Sequence, residues 1–236
     1  MKKTLVLGDI HGNGCWKDIV ERENPDLTVF LGDYVSTHMK ITEDEQIRNL
    51  NEILDFKEEN KDKVILLRGN HDTQHLGYAW AECSGFFRKV CDYMCSIKDR
   101  FLDLTQWVYI EDDIIFTHAG ITDVWLSNNK LNLETLNDVK PCEVFGFCPD
   151  NIFDYTGTSV TQPCTWIRPE ALATANINGY RQVVGHTPVK RITNISKITK
   201  GYLDIWLCDC LPKEFVVIED TVVIVKPFND EKAIMA

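Results

Sequence analysis

Residues 4–12 read TLVLGDIHG, and this stretch decides the fold. A short apolar run ends abruptly at a glycine and is followed by Asp9 and His11. Continuous apolar runs of this length are typical of strands that are covered on both faces. The glycine permits a sharp turn, which brings the polar side chains to the end of the strand. The stretch therefore predicts a buried strand with two ionisable side chains, Asp9 and His11, at its carboxyl end.

Four more stretches repeat this pattern of an apolar run, a nearby glycine and a polar side chain. They lie at residues 27–33, 64–72, 114–120 and 183–187. The ends of parallel strands open on one edge of a sheet, where ligands typically bind. We therefore expect the polar side chains of all five stretches to approach a common point.

Helical patterns separate the early apolar runs. Trp16, Ile19 and Val20 follow the spacing i, i+3, i+4, and Thr42 with Glu45 three residues later is typical of a capping box. An alternation of strands and helices predicts βαβ units with a parallel sheet.

The later part of the chain shows other patterns. A third helical stripe covers residues 90–101. Residues 202–207, 214–218 and 221–225 are strand-like and close together. Because such short connections join antiparallel neighbours, we expect an antiparallel arrangement in this C-terminal third.

Length and charge limit the function classes. The chain has 236 residues, which is enough to bury a core, and a formal net charge of −11. We predict a single domain over residues 1–236, in which residues 121–181 form an insertion that shapes substrate choice. The acidic balance argues against binding of a nucleic-acid duplex, which needs a basic face. Charge alone does not exclude a phosphate-bearing substrate.

No targeting segment or membrane span is expected. The N-terminal apolar run is too short for a signal peptide, and no run of about 18 apolar residues follows. The nine cysteines include no Cys-x-x-Cys pair, so a zinc ribbon is not expected. They are interpreted as reduced, mostly buried thiols, and we predict a cytoplasmic protein.

The five strand ends supply a mixed set of nitrogen and oxygen donors. The candidate metal ligands are Asp9, His11, Asp33, Asn70, His118 and His186. This donor set suits Mn²⁺, Fe or Zn²⁺ better than a thiolate site or a calcium cage. Six ligands are more than one open catalytic ion needs, and they suit two divalent ions that share a carboxylate. Mn²⁺ is the ion that we expect first.

The motifs GDIHG (8–12), GDYV (32–35), RGNHD (68–72), THAG (117–120) and GHT (185–187) resemble the motif series of calcineurin-like metallophosphoesterases. The resemblance is greatest to the phosphoprotein phosphatase branch, including its compact bacterial and phage members. It implies an α/β fold of four layers, with a central β-sandwich of mixed sheets flanked by helices.

The resemblance also implies roles for individual residues. Asp9 and His11 would hold the first ion, and the second would be held by Asn70, His118 and His186. Asp33 would bridge the two ions. His71 would be the general acid or a phosphate contact, and Arg168 would bind phosphate together with Asn70.

Two departures from the family pattern affect the catalytic histidine and the phosphate site. Ser36 stands where the family has the aspartate that orients and charges this histidine, and Thr37 stands where it has a phosphate-binding arginine. A serine hydroxyl adds no negative charge that would hold His71 protonated. His38, Lys40 and Arg68 are the residues that could replace the missing cation.

The sequence leaves three functional hypotheses open. The first is dinuclear, metal-dependent hydrolysis of phosphomonoesters by a Ser/Thr phosphoprotein phosphatase-like enzyme. The second is hydrolysis of a dinucleoside polyphosphate or another nucleotide phosphoester. The third is a catalytically weak scaffold that binds metal and phosphate. The expected partners are a phosphorylated protein or a small phosphoester, and neither a membrane nor a nucleic-acid duplex.

Overall fold

Two mixed β-sheets pack face to face at the centre of the protein. The structure, a computed structural model, describes residues 2–37, 39–78, 84–140, 156–195 and 204–228. The strands are β1 (Lys3–Leu7), β2 (Leu27–Phe30), β3 (Val64–Leu66), β4 (Val108–Glu111), β5 (Ile114–Thr117), β6 (Arg181–Val184), β7 (Thr193–Asn194), β8 (Ile205–Leu207), β9 (Glu214–Glu219) and β10 (Val222–Pro227).

Each sheet has five strands and contains a parallel group of three. The first sheet has the order β10-β9-β1-β2-β3, and β1, β2 and β3 are parallel. The second has the order β4-β5-β6-β8-β7, and β5, β6 and β8 are parallel. The carboxyl ends of both parallel groups carry the motifs that the sequence singles out.

Helices cover the outer faces of the two sheets. None of the helices within the described residues combines the length and apolar character needed to cross a membrane. The helices are α1 (Trp16–Glu23), α2 (Glu43–Glu59), α3 (Asn70–His75), α4 (Arg88–Ser96), α5 (Lys98–Leu104), α6 (Asp123–Asn128), α7 (Pro169–Thr174) and a short 3-10 helix (Leu136–Asp138).

The strands bury apolar side chains on both faces, as their sequences predict. On β1, Val6 points between the sheets and packs in one cluster with Phe116 and Val183 of the second sheet. The neighbouring Leu5 points the other way and packs in a cluster with Ile53 of α2. Successive side chains of a strand alternate between faces, so a strand covered on both sides must be apolar throughout. The order helix, sheet, sheet, helix confirms the predicted four-layer α/β fold.

Two expectations about individual elements need correction. The helical stripe over residues 90–101 is two helices, because the chain leaves helical geometry at Ile97 between α4 and α5. Strands β9 and β10 are antiparallel as predicted, around a turn in which Asp220 and Thr221 have positive φ. However, β8 does not join them, since it pairs in parallel with β6 in the other sheet. Residues 202 and 203 lie outside the described residues.

The cysteines that the structure describes are free thiols. Cys164, Cys208 and Cys210 are buried, whereas Cys95 is exposed. Burial raises the pKa of Cys164 to about 12, so its thiol stays protonated near neutral pH. Cys164, Cys208 and Cys210 therefore act as small apolar side chains, whereas Cys15 and Cys91 are partly buried.

We predict that Thr42→Ala destabilises α2. The Thr42 hydroxyl accepts from the Glu45 backbone N–H, and the Glu45 carboxylate accepts from the Thr42 backbone N–H. Loss of such a cap costs about 1 kcal/mol. Chemical denaturation should show this loss, and the exposed Glu59→Gln at the other end of α2 should leave stability within about 0.5 kcal/mol. Equal stability of Thr42→Ala and the wild type would contradict the assigned cap.

Candidate metal centre

Donor atoms from the ends of the first two strands meet at the edge of the first sheet. One atom each from Asp9, His11 and Asp33 lies within 4.8 Å of the other two. Asp9 and Asp33 are almost completely buried, while His11 is half-buried. A buried cluster of two carboxylates and an imidazole forms a candidate metal site.

The loops that carry these residues are tightly wound. His11, Asp33 and His186 have positive φ angles of 47°, 50° and 62°, a backbone conformation that only a constrained loop imposes on such residues. Gly69 and Gly185 permit close packing at the same place. A Cβ atom at Gly69 would lie 2.0 Å from Asp33 Oδ1, and one at Gly185 would lie 2.0 Å from Asp9 Oδ1.

Backbone N–H groups hold the two carboxylates in place. The His186 backbone N–H donates to both oxygens of Asp9, at 2.9 and 3.0 Å. The His71 backbone N–H donates to Asp33 Oδ1 at 2.9 Å. The carboxylate of Asp9 is thus tied to the loop after β6, and that of Asp33 to the loop after β3.

The sequence analysis did not identify Asp72, which clamps two of the loops together. Its side chain is fully buried and accepts from the backbone N–H groups of Asp33, Tyr34 and Gly69 at 2.8 to 3.0 Å. Burial nevertheless raises the pKa of Asp72 to about 6. The only sequence signal was an acidic residue two positions after Asn70.

The electrostatics of the site call for cations. Burial raises the pKa of Asp9 and of Asp33 well above the usual range, and neighbouring carboxylates add to the effect. For Asp9 the largest neighbouring contribution is that of Asp209, and for Asp33 it is that of Asp72. Such carboxylates ionise readily only when positive charge is placed beside them.

Three histidines share one hydrogen-bonding pattern. His118 Nδ1 lies 2.8 Å from the Leu31 carbonyl, His11 Nδ1 lies 3.2 Å from the Val35 carbonyl, and His186 Nε2 lies 3.2 Å from that of Trp166. A carbonyl oxygen only accepts, so each of these ring nitrogens carries the proton and donates it. The other nitrogen of each ring presents a lone pair, which is the usual orientation of a metal-binding histidine.

Two of these lone pairs point at a third acceptor. His118 Nε2 and His186 Nδ1 each lie 2.9 Å from Asn70 Oδ1. Burial lowers the pKa of His118 to about 3 and that of His186 well below its usual value, so neither ring is doubly protonated near neutral pH. Acceptor atoms at this distance repel each other unless a cation lies between them. The residues therefore fit a divalent ion, on their geometry and their donor chemistry.

His71 lies beside this cluster with a different orientation. Its side chain is partly exposed, and its Nε2 is 3.9 Å from Asp33 Oδ2. Its Nδ1 lies 3.0 Å from the amide nitrogen of Gln74, a residue that the sequence analysis did not consider. The structure thus brings His71 to the open side of the site.

Arg168 also lies at this edge, next to His186. Its Nη1 donates to the carbonyl of His186 and to Thr187 Oγ1, both at 3.2 Å. The guanidinium stacks on the Trp166 ring at 5.3 Å from its centroid. Arg168 is the residue directly before α7, so the start of this helix fixes its backbone, and the loop after β6 holds its side chain.

Arg68 does not line the site, which corrects the prediction that it binds substrate. Its guanidinium is buried and donates to Thr105 and to the Leu102 carbonyl, and it stacks on Trp107 at 4.7 Å. These contacts anchor the end of α5 to the loop after β3. His38, the other predicted substrate contact of this region, lies outside the described residues, and Lys40 is exposed.

Asp209 is a further acidic residue that the sequence analysis missed. It follows β8, which comes to this edge only because that strand joins the second sheet. Burial raises its pKa to about 6, and the charge of Arg168 opposes that rise. An isolated acidic residue between two cysteines carries no motif that could have signalled this position.

We predict that Gly185→Ala weakens metal binding. The added methyl group must displace the Asp9 carboxylate, and disturbed outer contacts of a metal site typically cost 10–100-fold in affinity. Titration calorimetry with Mn²⁺ would measure the loss. Gly14→Ala is the matched control, because a Cβ atom there meets only Asn49 Oδ1, at 3.9 Å. Equal affinities of the two variants would contradict this placement of Asp9.

We also predict that stabilisation by Mn²⁺ increases as pH rises from about 5 to about 8. The raised pKa values of Asp9 and Asp33 mean that the metal-free folded protein keeps protons which the unfolded chain releases near pH 4. Their stabilising contribution is therefore present at low pH and is lost as pH rises. A divalent ion binds the ionised form and reverses that loss, whereas His118 is already neutral and releases no proton.

Thermal denaturation with and without millimolar MnCl₂ across this pH range measures the effect. The lowered pKa of His118 makes the metal-free protein more stable as pH rises, which is opposite to the effect of Asp9 and Asp33. The informative quantity is therefore the difference between the melting temperatures with and without MnCl₂ at each pH. A metal-dependent shift that is constant or decreases with pH would contradict the prediction.

Comparison with known proteins agrees with this geometry. The calcineurin-like phosphoesterase family matches residues 2–190. A Caenorhabditis elegans protein, provisionally named a serine/threonine-protein phosphatase, is 28% identical over 149 residues. The match covers 58% of this chain and 37% of the relative, so the chain spans little more than a third of that protein.

Two solved structures share the fold. The cold-active protein-tyrosine phosphatase of a psychrophilic Shewanella species has a TM-score of 0.64 at 16% identity, covering 97% of this chain and 78% of its own. A protein serine/threonine phosphatase of Saccharomyces cerevisiae, with similarity to human phosphatase PP5, has a TM-score of 0.62 at 13% identity. The match covers 97% of this chain and 80% of the yeast chain. The family match over residues 2–190, most of the chain, identifies this chain as a member of the calcineurin-like phosphoesterase family.

Proposed function

We propose that this chain is a dinuclear, metal-dependent hydrolase of phosphomonoesters, with phosphorylated proteins as its substrates. The observation that carries the proposal is the convergence of unprotonated histidine nitrogens and buried carboxylates at one sheet edge, beside the guanidinium of Arg168. Among the described residues, Asp9 and Asp33 have ion-pair contacts with histidines and none with a lysine or arginine. The centre therefore has negative charge and lone pairs to offer to two divalent ions.

The donors divide into two groups that share Asp33. Asp9 and His11 would hold one ion, in the cluster where their donor atoms meet that of Asp33. The other ion would be held by Asn70, His118 and His186. Asp33 Oδ2 lies 3.5 Å from His118 Nε2, which supports its role as the bridge between the groups. Mn²⁺ is the expected ion, and the mixed donor set also accepts Fe or Zn²⁺.

The residues around the ions have separate tasks. When bound, two divalent ions supply an activated water as the nucleophile and positive charge for the phosphoryl oxygens. Arg168 is held by backbone and side-chain contacts on one side, which leaves its other donors for the phosphate. Asn70 offers a side-chain amide at the same point. His71 stands at the open side, where the leaving oxygen departs.

The relatives favour phosphoproteins as the substrate class. The nematode relative and the yeast structure carry the name of serine/threonine phosphatases, and the Shewanella structure carries that of a tyrosine phosphatase. The motif series favours phosphoserine and phosphothreonine as the first substrates to examine.

A second candidate is hydrolysis of a dinucleoside polyphosphate or another nucleotide phosphoester. Ser36 and Thr37 stand in place of an aspartate and an arginine, and this favours the second candidate. The catalytic histidine loses a neighbouring negative charge, and the phosphate loses a guanidinium that would bind it. Parallel rates on phosphopeptides and bis-nucleotides separate the two candidates. A scaffold without catalytic function would turn over neither, whereas a rate above about 1 s⁻¹ lies in the ordinary enzyme range.

We predict that Asp33→Asn and His118→Ala each abolish most hydrolysis of p-nitrophenyl phosphate by the Mn²⁺-loaded protein. Asp33→Asn removes the shared carboxylate, and His118→Ala removes a nitrogen donor of the second group. Losses of about 10²-fold or more are expected, since activation of water depends on the ions. Initial rates at saturating Mn²⁺ would measure them.

The exposed Asp103→Asn is the matched control, because it makes the same chemical change on the surface of α5. It should keep the wild-type rate. Full activity in Asp33→Asn or His118→Ala would overturn the proposed mechanism.

A further inference from the structure

A groove opens beside the candidate metal centre, on the side of His11. It has a volume of about 370 Å³, and Gly12, the residue that directly follows His11, is part of its wall. Three segments of the chain line it, namely the loop after β1 with the start of α1, the loop that leads to α2, and the first half of α2. The groove therefore begins next to a candidate metal ligand.

Two of the three basic side chains that line this groove have no counter-ion. Lys17 is paired with Glu52 on the opposite wall. Lys40 and Arg48 are exposed, and neither of them forms an ion pair with another residue in the part of the chain that the structure describes. An exposed cation of this kind can bind an anion without first losing a partner, so the groove is able to hold negative charge.

The acidic residues near Arg48 are engaged in other contacts. Glu45 lines the groove, and its carboxylate accepts from the backbone N–H and the hydroxyl of Thr42, both at 2.7 Å. Asp44 lies four residues before Arg48, but it pairs with Lys89 of α4 at 2.5 Å. Arg48 therefore attracts Glu45 only through space, and the groove has more basic than acidic side chains along its walls.

The loop before α2 presents an apolar and a basic side chain to the groove. Thr37 is buried, and its hydroxyl oxygen accepts from the Met39 backbone N–H at 2.9 Å. The side chain of Met39 is 46% exposed and lines the groove together with Lys40. A flexible thioether adapts to differently shaped partners. The groove therefore offers both positive charge and apolar surface to a bound segment.

We propose that this groove, through Lys40 and Arg48, binds acidic residues that flank the phosphorylated side chain of a protein substrate. The inference rests on the proposed hydrolysis and narrows its substrates to phosphoproteins with glutamate, aspartate or a second phosphate near the scissile group. Thr37 stands where the family has a phosphate-binding arginine. Contacts remote from the scissile phosphate supply part of the binding energy that this arginine would give.

The length of the groove favours a peptide over a single anion. Its wall on α2 extends from Glu45 to Glu52, and seven residues of helix correspond to about 10 Å. An extended peptide rises by about 3.3 Å per residue, so about three residues fit along this wall. A second phosphate of a nucleotide would occupy only part of that length.

A binding experiment examines the groove without any need for turnover. Two labelled peptides carry a phosphonate that resists hydrolysis in place of phosphoserine, with either glutamate or glutamine on both sides. Fluorescence anisotropy with the Mn²⁺-loaded protein at low salt gives the Kd of each peptide. We expect the acidic peptide to bind about tenfold more tightly, because each exposed ion pair contributes up to about fivefold. In about 0.5 M NaCl, where such pairs are screened, the preference should fall below about threefold.

Substitutions assign that preference to the two cations. Lys40→Gln and Arg48→Gln should each reduce the preference about threefold, and the double variant should abolish it. Arg48→Lys keeps the charge and should keep the preference. Lys61→Gln is the matched control, because this exposed lysine lies just beyond the other end of α2. Since the readout compares two peptides on the same protein, a general loss of structure would weaken both and leave their ratio unchanged.

Hydrolysis of the corresponding phosphoserine peptides should show the same preference in kcat/KM. The groove binds the flanking residues equally in the ground state and in the transition state, so the difference between the two peptides should lie in KM and not in kcat.

Equal Kd values of the two peptides in the wild type, or a preference that survives in the double variant, would overturn the inference. Binding of tripolyphosphate that depends on Lys40 and Arg48, together with equal binding of the two peptides, would also overturn it, in favour of a polyphosphate substrate. Failure of the wild type to hydrolyse any phosphoester would contradict the proposed function instead. In that case the ratio of the two Kd values still decides what the groove binds.

Discussion

The burial of two carboxylates without a lysine or arginine partner is the constraint on which this structure depends. Asp9 and Asp33 are both excluded from water, and within the described residues their ion-pair contacts are with histidines alone. Such groups are costly to ionise, as their raised pKa values show. One backbone N–H donor for each carboxylate, from His186 to Asp9 and from His71 to Asp33, offsets part of that cost, and metal binding would offset more of it.

The strand ends and their polar residues could be predicted because they depend on short-range patterns. An apolar run followed by glycine and a ligand-type residue is visible in the sequence, and the two parallel groups bring those ends together. Asp72, Gln74 and Asp209 could not be found in this way, because their roles depend on the direction of a side chain or on strand order. Arg68 shows the opposite error. A basic residue next to a metal-ligand motif suggests a phosphate contact. The guanidinium of Arg68, however, is buried and stacks on Trp107, so it points away from the site.

The hydrogen-bond partners of the histidines differ within the candidate site. A backbone carbonyl accepts from the rings of His11, His118 and His186 and leaves each with a lone pair. The ring of His71 instead has the side-chain amide of Gln74 beside its Nδ1, at 3.0 Å. The hydroxyl oxygen of Ser36 lies 3.5 Å from the same amide. The two departures from the family pattern, Ser36 and Thr37, therefore lie outside the set of candidate metal ligands.

An acidic protein can hold a phosphate ester because the charge that matters is local. The formal charge of −11 describes the whole chain, whereas the site has three buried carboxyl groups and the partly buried Asp209, all with raised pKa values. Burial lowers the pKa of the Arg168 guanidinium, and the charges of Asp9 and Asp209 oppose that effect. The Arg168 hydrogen bonds go to His186 and Thr187, and no carboxylate among the described residues forms an ion pair with it. The arginine and the carboxylates therefore influence each other through space, so any ion that changes the charge of the carboxylates also changes the electrostatic surroundings of Arg168.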